Sequence, residues 1–324
     1  MQDLVTVFGG SGFVGAQVVR ALAKQGWRVR VAVRQPHLAY KMRLLGDVGQ
    51  IEVVQANIRN EASIRRAVEG AHAVVNAVGV LYETGRQKFQ SVHAMGARNI
   101  AAVAKGAGVS RLVHISAIGA DAGSDSKYAR TKAMGEDAVR DAFPGAVIVR
   151  PSVVFGPDDH FFNKFAEMAV ISPALPLIGA SHTRLQPVFV GDVAKAVAAC
   201  VTNPDAAGQT YELGGPRAYS FRELMELVVA ETGRKRFLVP LPNAIASAIG
   251  VACSIFALTP WTPPITEDQV ELLKTDNVVS GGYPGLEALG VAPTAVEGIL
   301  PAYLYRFRKG GQYADEVERL TAVA

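Results

Sequence analysis

The chain has 324 residues, of which 49% are hydrophobic, and it carries a formal net charge of +4. This length suits one large domain with an appended lobe, or two domains. The basic residues form no continuous block, and no Cys and His residues have metal-ligand spacing, so we predict neither a nucleic-acid partner nor a metal site. The cysteines, Cys200 and Cys253, are far apart in apolar surroundings and are predicted to be buried free thiols.

Strand-like and helix-like segments alternate through the amino-terminal half of the chain. Met1-Gln2-Asp3 leads directly into the first apolar run, so we expect no signal peptide. Strands are predicted over 4–8, 29–33, 51–54, 73–78, 112–115 and 146–149, with helices over 13–25, 61–68 and 92–105. Strands separated by helices pair in parallel through right-handed crossovers. The predicted fold is therefore α/β, a doubly wound parallel Rossmann sheet.

The regular alternation ends after Pro151. Helices are predicted over 161–170, 192–201 and 221–231, between turns rich in proline and glycine. We expect a Rossmann dinucleotide-binding domain over 1–155 and a smaller carboxy-terminal α/β lobe over 156–324. This lobe would bind a substrate or a partner and lie over the edge of the sheet.

A glycine-rich turn joins the first strand to the first helix. Gly9, Gly12 and Gly15 have the spacing GxxGxxG, within the segment Val7 to Gly15. The first glycine permits a tight turn, the second permits close approach of a pyrophosphate, and the third permits close packing of helix on strand. The unpaired amides at the start of the helix would then face the phosphates. The pattern predicts a dinucleotide site.

Arg34 follows the second strand, at the position where a site for NAD would carry an acidic residue for the ribose hydroxyls. No acid occurs between Asp3 and Asp47, and Lys41 and Arg43 lie nearby in sequence. A guanidinium group matches the geometry of a 2′-phosphate. We therefore predict NADP(H), with NAD less favoured; the alternative is that Arg34 is a solvated surface residue.

A serine, a tyrosine and a lysine form a candidate catalytic set. Ser116 follows the fifth strand, and Tyr128 and Lys132 are separated by one turn of a predicted helix. A nearby ammonium group lowers the pKa of a phenol, which could then exchange a proton with a carbonyl or carbinol oxygen during hydride transfer. The serine hydroxyl would hold that oxygen.

These motifs resemble the short-chain dehydrogenase/reductase family, in its atypical or extended branch. The match also includes Asn76 to Gly79, Arg150 to Pro157, and Tyr211 to Pro216. More narrowly, the chain resembles the NADPH-binding accessory subunits of respiratory complex I. The stretches that carry this narrower resemblance are 80–84, 127–136, 141–144 and 147–152.

The resemblance implies a tightly bound NADPH that does not turn over, and partners among the complex I subunits near the membrane arm junction. It implies a bacterial version, peripheral on the cytoplasmic face of the inner membrane. Asn57 and Ile58 stand where many reductases of this family carry Asp beside the adenine. Together the motifs and the resemblance assign these residues to the cofactor site: Gly9, Ser11, Gly12, Phe13, Val14, Gly15, Arg34, Asn57, Ile58, Ala77, Val78, Gly79, Ser116, Tyr128, Lys132, Pro151 and Val153.

The segment 238–266 carries no charged residue. A helix-like run over 243–258 is shorter than the roughly 20 residues that a membrane span needs. It is interpreted as a buried helix of the second lobe, or as a surface that docks on a partner or on a membrane. The aromatic and basic stretch 303–309 could contact lipid headgroups.

Two functions therefore remain open. One is an accessory subunit of bacterial complex I, in which NADPH is structural and the Ser116, Tyr128 and Lys132 set is vestigial. The other is a freestanding NADP-dependent reductase or epimerase that acts on a small carbonyl or a sugar nucleotide. The candidate catalytic set favours the enzyme, and the uncharged segment together with the subunit-like stretches favours the subunit.

Overall fold

The computed structural model describes residues 3–178, 183–241 and 266–313. Contacts divide the chain into two compact units, each assembled from separate segments. The first comprises Met1–Ser152, Val190–Leu213 and Val279–Ala292, and the second comprises the described parts of Val153–Phe189, Gly214–Val278 and Pro293–Ala324. This division differs from the predicted linear boundary between residues 155 and 156, because two later segments return to the first unit.

The first unit contains a seven-stranded parallel sheet, so the predicted fold class is confirmed. Its strands are β1 (Leu4–Phe8), β2 (Arg28–Val33), β3 (Ile51–Gln55), β4 (Ala73–Asn76), β5 (Arg111–Ile115), β6 (Val147–Pro151) and β11 (Thr210–Leu213). The strand order is β11-β6-β5-β4-β1-β2-β3. The strands after β1 are added first on one side of it (β2, β3) and then on the other side (β4 onwards). Open parallel sheets bind ligands at such a switch point, at the carboxyl ends of their strands.

The helices of the first unit are α1 (Phe13–Lys24), α2 (Glu61–Val68), α3 (Met95–Gly106), α4 (Lys127–Ala142) and α6 (Val190–Thr202). A short π-helix over Gln90–Ala94 leads into α3, and 3-10 turns cover Pro36–Leu38, Tyr40–Leu45, Pro204–Ala206 and Glu287–Leu289. Side chains cap several helix starts: Asn60 accepts a hydrogen bond from Ser63 N at α2, and Ser126 accepts one from Ala129 N at α4.

Apolar side chains of the sheet and of α2, α3 and α4 form one continuous core, which includes Phe8, Ile64, Ile100 and Ile148. Burial of such side chains is the main favourable term in folding. Even the polar Thr6 is fully buried in β1, where its hydroxyl donates a hydrogen bond to Ala67 O at 2.8 Å. The strands that carry the site are therefore held by a packed core on the face that α2, α3 and α4 cover.

The second unit has short strands around its own aromatic core. Its elements are β7 (Val154–Phe155), α5 (Phe162–Ile171), β8 (Ala174–Leu177), β9 (Arg184–Leu185), β10 (Val188–Phe189), β12 (Tyr219–Ser220), α7 (Phe221–Glu231), β13 (Phe237–Pro240), short helices over Glu267–Leu272, Val296–Ile299 and Pro301–Leu304, and 3-10 turns over Tyr305–Phe307 and Gly311–Tyr313. The strand pairs are β7 with β10, β9 with β12, and β8 with β13.

The predicted membrane-contacting segments have different outcomes. Of the uncharged segment, 242–265 lies outside the described residues, and Leu238 lies in β13. The expectation for 303–309 is wrong in part, because Tyr303 and Leu304 are buried in the core of the second unit. Among the described residues, no helix is long and apolar enough to cross a bilayer.

Candidate functional site

The glycine turn after β1 is built so that only glycine fits at its key positions. Gly9 has φ 74° and donates a hydrogen bond to Ala32 O at 3.1 Å. A Cβ atom on Gly15 would lie 2.2 Å from Gly9 O, and one on Gly9 would lie 2.9 Å from Ala77 O. The turn therefore packs directly against α1 and against the segment that follows β4.

The start of α1 is open to an anionic group. Gly12 caps the helix without a side-chain hydrogen bond, and the first turn contains no acidic residue. Ser11 and Gly12 are exposed, whereas Phe13 and Val14 are half-buried. The first amides of a helix have no partner within it, so they can bind a pyrophosphate. Side chains at the glycine positions would fill the turn. The turn and the open amides of α1 together therefore fit a dinucleotide.

Arg34 lies exposed directly after the last residue of β2. It makes no ion pair with any described residue, in contrast to Arg30 on the same strand, which pairs with Glu52 at 3.0 Å. The nearby Arg43 lies over the ring of Tyr40 at 5.0 Å. The guanidinium of Arg34 is therefore available to a ligand at the carboxyl end of β2.

The turn after β3 holds Asn57 and Ile58. Asn57 Oδ1 accepts a hydrogen bond from Arg59 N at 3.1 Å, which leaves one lone pair for an adenine amino group. The backbone oxygen of Ile58 accepts a hydrogen bond from Asn99 Nδ2 at 3.0 Å. A Cβ on Gly96 would meet Ile58 Cδ1 at 2.4 Å. The sequence analysis missed Asn99 and Gly96, which hold this turn from α3.

The segment after β4 lies between the glycine turn and α4. Asn76 Oδ1 accepts a hydrogen bond from Val78 N at 3.1 Å, and this turn ends the strand two residues earlier than predicted. A Cβ on Gly79 would lie 3.7 Å from Lys132 Nζ. Ala77, Val78 and Gly79 thus connect the glycine turn with the lysine of the candidate catalytic set.

The structure brings Tyr128 and Lys132 together on α4. Lys132 Nζ lies 5.8 Å from the centre of the Tyr128 ring and donates a hydrogen bond to Ile115 O at 3.1 Å. Burial lowers the pKa of Lys132 to about 8, although the nearby Glu136 carboxylate opposes this shift. At neutral pH the ammonium form still dominates, so its charge can favour the phenolate form of Tyr128.

Ser116 is placed differently from the tyrosine and the lysine. The residue is 4% exposed, and its buried hydroxyl makes no hydrogen bond to Tyr128. It lies near the Glu136 carboxylate. Burial alone would raise the pKa of Glu136, but polar contacts from Arg150 and Ser116 outweigh this effect and lower it. The buried hydroxyl of Ser116 therefore lies beside the Glu136 carboxylate and not against the Tyr128 hydroxyl.

A charged cluster is centred on Glu136, one helical turn beyond Lys132. Arg150 donates to both Glu136 oxygens, at 2.9 and 2.7 Å, and Arg140 donates at 2.9 Å. Glu212 lies 3.7 Å from Arg150. Such a bidentate pair with a guanidinium is strong and fixes geometry. The sequence analysis missed this cluster, although the four-residue spacing of Glu136 and Arg140 was a signal for part of it.

His93 is a second group that the sequence analysis missed. The buried ring accepts a hydrogen bond from Val80 N at Nε2 (3.1 Å), and its Nδ1 lies 3.2 Å from Thr131 Oγ1. It packs edge-on against Tyr128 and stacks on Phe89, at 5.3 Å in both cases. Burial and the charge of Lys132 lower the pKa of His93 to about 2. A neutral imidazole thus helps to position Tyr128.

The remaining predicted site residues, Pro151 and Val153, lie in different units. Pro151 ends β6 and is buried.

Asp159, in the second unit, accepts hydrogen bonds from the Tyr303 hydroxyl at 2.6 Å and from Gly156 N at 3.1 Å. Asp159 is therefore a structural carboxylate. The described residues contain no group of His, Cys, Asp and Glu that could bind a metal ion. Among them, Cys200 is buried, and burial raises the pKa of its thiol to about 12, so it is not a reactive cysteine.

Comparison with known proteins agrees with this geometry. The sequence model of the NAD dependent epimerase/dehydratase family matches residues 5–214. The mitochondrial NADH dehydrogenase (ubiquinone) 1 alpha subcomplex subunit 9 of Rattus norvegicus is 38% identical over 317 residues, or 97% of this chain and 83% of that protein. The 40 kDa subunit of the mitochondrial NADH-ubiquinone oxidoreductase of Neurospora crassa is 31% identical, covering 97% of this chain and 83% of that one. A ceramide reductase of Caulobacter vibrioides is 32% identical, covering 85% of this chain and 86% of its own.

Solved structures show the same fold. The triphenylmethane reductase of Citrobacter has a TM-score of 0.74 at 19% identity and covers 93% of this chain and 99% of its own. The dTDP-glucose 4,6-dehydratase DesIV of Streptomyces venezuelae has a TM-score of 0.71 at 20% identity, with coverage of 94% and 96%. The chain belongs to the NAD-dependent epimerase/dehydratase family, and it is homologous to mitochondrial subunits of complex I. The predicted resemblance is confirmed, and a nicotinamide dinucleotide is the cofactor expected for this family.

Proposed function

We propose that this chain is an NADP(H)-binding accessory subunit of bacterial respiratory complex I, the NADH:ubiquinone oxidoreductase. The observation that carries the proposal is the extent of one similarity. The identity of 38% to a complex I subunit runs over 317 residues, whereas the family model ends at residue 214. The resemblance therefore includes much of the second unit, where a freestanding enzyme and an assembly subunit would be expected to differ.

The geometry around Ser116 supports a structural role for the cofactor. In a reductase of this family, the serine hydroxyl would lie beside the tyrosine hydroxyl and hold the reacting oxygen. Here the hydroxyl makes no hydrogen bond to Tyr128 and faces the Glu136 cluster. On this proposal the Ser116, Tyr128 and Lys132 set is vestigial for catalysis, and the bound cofactor stabilises the form that the partners recognise.

The proposed cofactor is NADPH. The exposed, unpaired Arg34 at the end of β2 supports this choice, and so does the absence of acidic residues from Leu4 to Gly46. A carboxylate in this region would repel a 2′-phosphate, whereas a guanidinium can bind it through two hydrogen bonds. The first unit would hold the pyrophosphate at α1 and the nicotinamide end near Tyr128 and Lys132.

The proposed place of the chain is peripheral, on the cytoplasmic face of the bacterial inner membrane. Its partners would be the complex I subunits near the membrane arm junction. The homology to two mitochondrial complex I subunits supports this assignment.

A second candidate is a freestanding NADP-dependent reductase or epimerase that acts on a small carbonyl or a sugar nucleotide. The pairing of Tyr128 with Lys132 favours it, as does the 32% identity to a protein named a ceramide reductase. When bound, the nicotinamide would supply or accept a hydride. The Tyr128 hydroxyl would donate a proton to the carbonyl oxygen, and the Lys132 ammonium would lower the pKa of that hydroxyl.

Native purification of complex I separates the two functions. Complex I would be purified through a tagged core subunit from cells that carry the wild-type chain, Tyr128→Phe, or a deletion of the gene. The control is Tyr40→Phe, since Tyr40 is 53% exposed and lies outside the set. We expect mass spectrometry to find the chain in the complex, with extractable NADPH. We expect Tyr128→Phe to retain both and the deletion to lower the yield of intact complex.

An intact complex after deletion, together with absence of the chain from purified complex, would contradict the subunit. If Tyr128→Phe instead abolished NADPH-dependent reduction of a carbonyl substrate while Tyr40→Phe did not, the enzyme would be favoured.

A further inference from the structure

An open groove lies at the amino ends of β2 and β3, on the edge of the sheet opposite the dinucleotide site. Its volume is about 750 Å³. The end of α1, the start of β2 and the loop 44–50 line it. Four exposed residues define what we call the basal face: Lys24, Arg28, Leu44 and Val48. The mechanism proposed above uses none of them.

Leu44 and Val48 project from this face without apolar cover. Leu44 is 85% exposed and Val48 is 108% exposed, which places both among the most exposed large hydrophobic side chains described. Single exposed apolar residues are common on protein surfaces and need no explanation. Here two aliphatic side chains border the same groove, and each is within a few residues of a cation.

The loop that carries them is held rigidly. Gln50 Nε2 donates hydrogen bonds to Ala23 O at 2.7 Å and Trp27 O at 3.0 Å, and Gln50 Oε1 accepts one from Asp47 N at 2.8 Å. Gly46 leaves room for this side chain, because a Cβ there would lie 2.5 Å from Gln50 Oε1. A braced loop loses little conformational entropy when its tips bind another surface.

The charges around the loop indicate what it binds. Lys24 and Arg28 line the groove, and the exposed Lys41 and Arg43 precede Leu44. The exposed acids of this region are Asp47, which lines the groove, Asp3, whose backbone oxygen accepts from Arg28 N, and Glu52, which Arg30 neutralises at 3.0 Å. Positive charge therefore predominates. Aliphatic tips flanked by cations suit the boundary between anionic headgroups and acyl chains. A protein partner would more often meet buried aromatic anchors.

We propose that the basal face docks on an anionic bilayer surface, with Leu44 and Val48 entering the acyl boundary and Lys24 and Arg28 contacting lipid phosphates. The inference goes beyond the proposed function and does not depend on it, because the purified chain should bind lipid without complex I. It is also distinct from the predicted contacts through 238–266 and 303–309.

Sedimentation with vesicles tests the proposal on the purified full chain. The vesicles are phosphatidylcholine alone, or phosphatidylcholine mixed with phosphatidylglycerol. We expect the wild type to bind the mixed vesicles and to be released by salt, since screening weakens exposed charge interactions. The variants Leu44→Ser/Val48→Ser and Lys24→Ser/Arg28→Ser should each weaken partitioning by about tenfold or more. The double charge variant leaves Arg34 and the cofactor site intact.

Matched controls are Ile171→Ser and Arg98→Ser. Ile171 is 87% exposed in the second unit and Arg98 is exposed on α3, so neither lies on the basal face. Both should bind as the wild type does, and all four variants should keep the wild-type melting temperature, which shows that they fold. Equal binding by the wild type and Leu44→Ser/Val48→Ser would overturn the proposal. Failure of the wild type to bind the mixed vesicles would overturn it too, and capture by purified complex I would then identify a protein surface as the occupant.

Discussion

The side chains of His93 and Thr131 lie 3.2 Å apart and join the π-helix before α3 to α4, the helix that carries Tyr128 and Lys132. Thr131 Oγ1 donates to Lys127 O at 2.9 Å, so it accepts a hydrogen bond from His93 Nδ1. The other ring nitrogen accepts from Val80 N, which requires a neutral imidazole. A single uncharged ring therefore connects the segment after β4 with the helix that carries Tyr128 and Lys132.

This buried ring should make the protein sensitive to acid. Because the folded pKa of His93 is about 2 and its ordinary value is 6.5, the unfolded chain binds a proton between these values that the folded chain does not. The free energy of unfolding therefore falls as pH drops below about 6.5. In His93→Gln, its slope against pH between about 6 and 4 should be smaller by about 1.4 kcal/mol per pH unit.

Urea denaturation at a series of pH values measures this slope. The control is His160→Gln, since His160 is exposed in the second unit, and its slope should match the wild type. An unchanged slope in His93→Gln would show that this ring is not a source of the acid sensitivity.

Gly15→Ala should weaken binding of the cofactor. The new Cβ would lie 2.2 Å from Gly9 O, so α1 must move away from the glycine turn. We expect NADPH to bind at least about tenfold more weakly, because the pyrophosphate cradle depends on that contact. Fluorescence titration of NADPH measures the dissociation constant.

Gly106→Ala is the matched control. Gly106 ends α3, and a Cβ there would meet nothing within 4 Å. This variant should bind NADPH as the wild type does, and its free energy of unfolding should be equal or higher by up to about 1 kcal/mol. Equal affinity of Gly15→Ala and Gly106→Ala would rule out the glycine turn as the pyrophosphate site.

Arg34→Ser should reduce the preference for NADPH over NADH. A hydrogen-bonded guanidinium contributes about 1.5–3 kcal/mol to a charged partner, so the dissociation constant for NADPH should rise at least about tenfold. NADH lacks the 2′-phosphate and serves as the control ligand, with an unchanged dissociation constant. Calorimetric titration of both ligands measures the two values. A parallel loss for both would show that Arg34 does not contact the 2′-phosphate.

Glu136→Gln should destabilise the first unit strongly. The carboxylate is 1% exposed and neutralises Arg150, whose side chain is 15% exposed. Removal of one partner from a buried ion pair leaves the other charge poorly compensated, and Glu212, at 3.7 Å, offsets the charge of Arg150 only in part, so the cost should be about 3 kcal/mol. Asp137→Asn is the control: Asp137 also pairs with Arg140, but it is 72% exposed, so less than about 1 kcal/mol should be lost. Equal unfolding free energies for the two variants, from urea denaturation, would contradict the proposed role of the buried cluster.

The local features of the fold were predictable from sequence. The glycine turn, the strand and helix alternation, and the Tyr128 and Lys132 pair depend on residues a few positions apart, so spacing alone indicates them. Helix ends were less predictable. The helix predicted from residue 192 begins at Val190, and a π-helix precedes α3, where backbone hydrogen bonds shift register without a signal in the side-chain pattern.

Features that join distant segments were not predictable. Ser116 was predicted to face the substrate oxygen, and this remains a prediction that a ligand complex must test. Strand residues two apart point to the same side, so Ser116 follows His114, and both lie near Glu136. Recognising this required knowledge that α4 covers that side of the sheet. The contacts of His93 with Val80 and Thr131 likewise depend on tertiary packing.

The first unit is assembled from three separate parts of the chain, and this has a consequence for biosynthesis. Its edge strand β11 pairs with β6, but the ribosome makes β11 only after the whole of Val153–Phe189 has been made. Val279–Ala292 arrives later still. During translation the edge of β6 therefore stays unpaired until β11 has been made, and unpaired strand edges promote aggregation. Protection by a chaperone or by early cofactor binding would therefore matter most while the middle third of the chain is emerging.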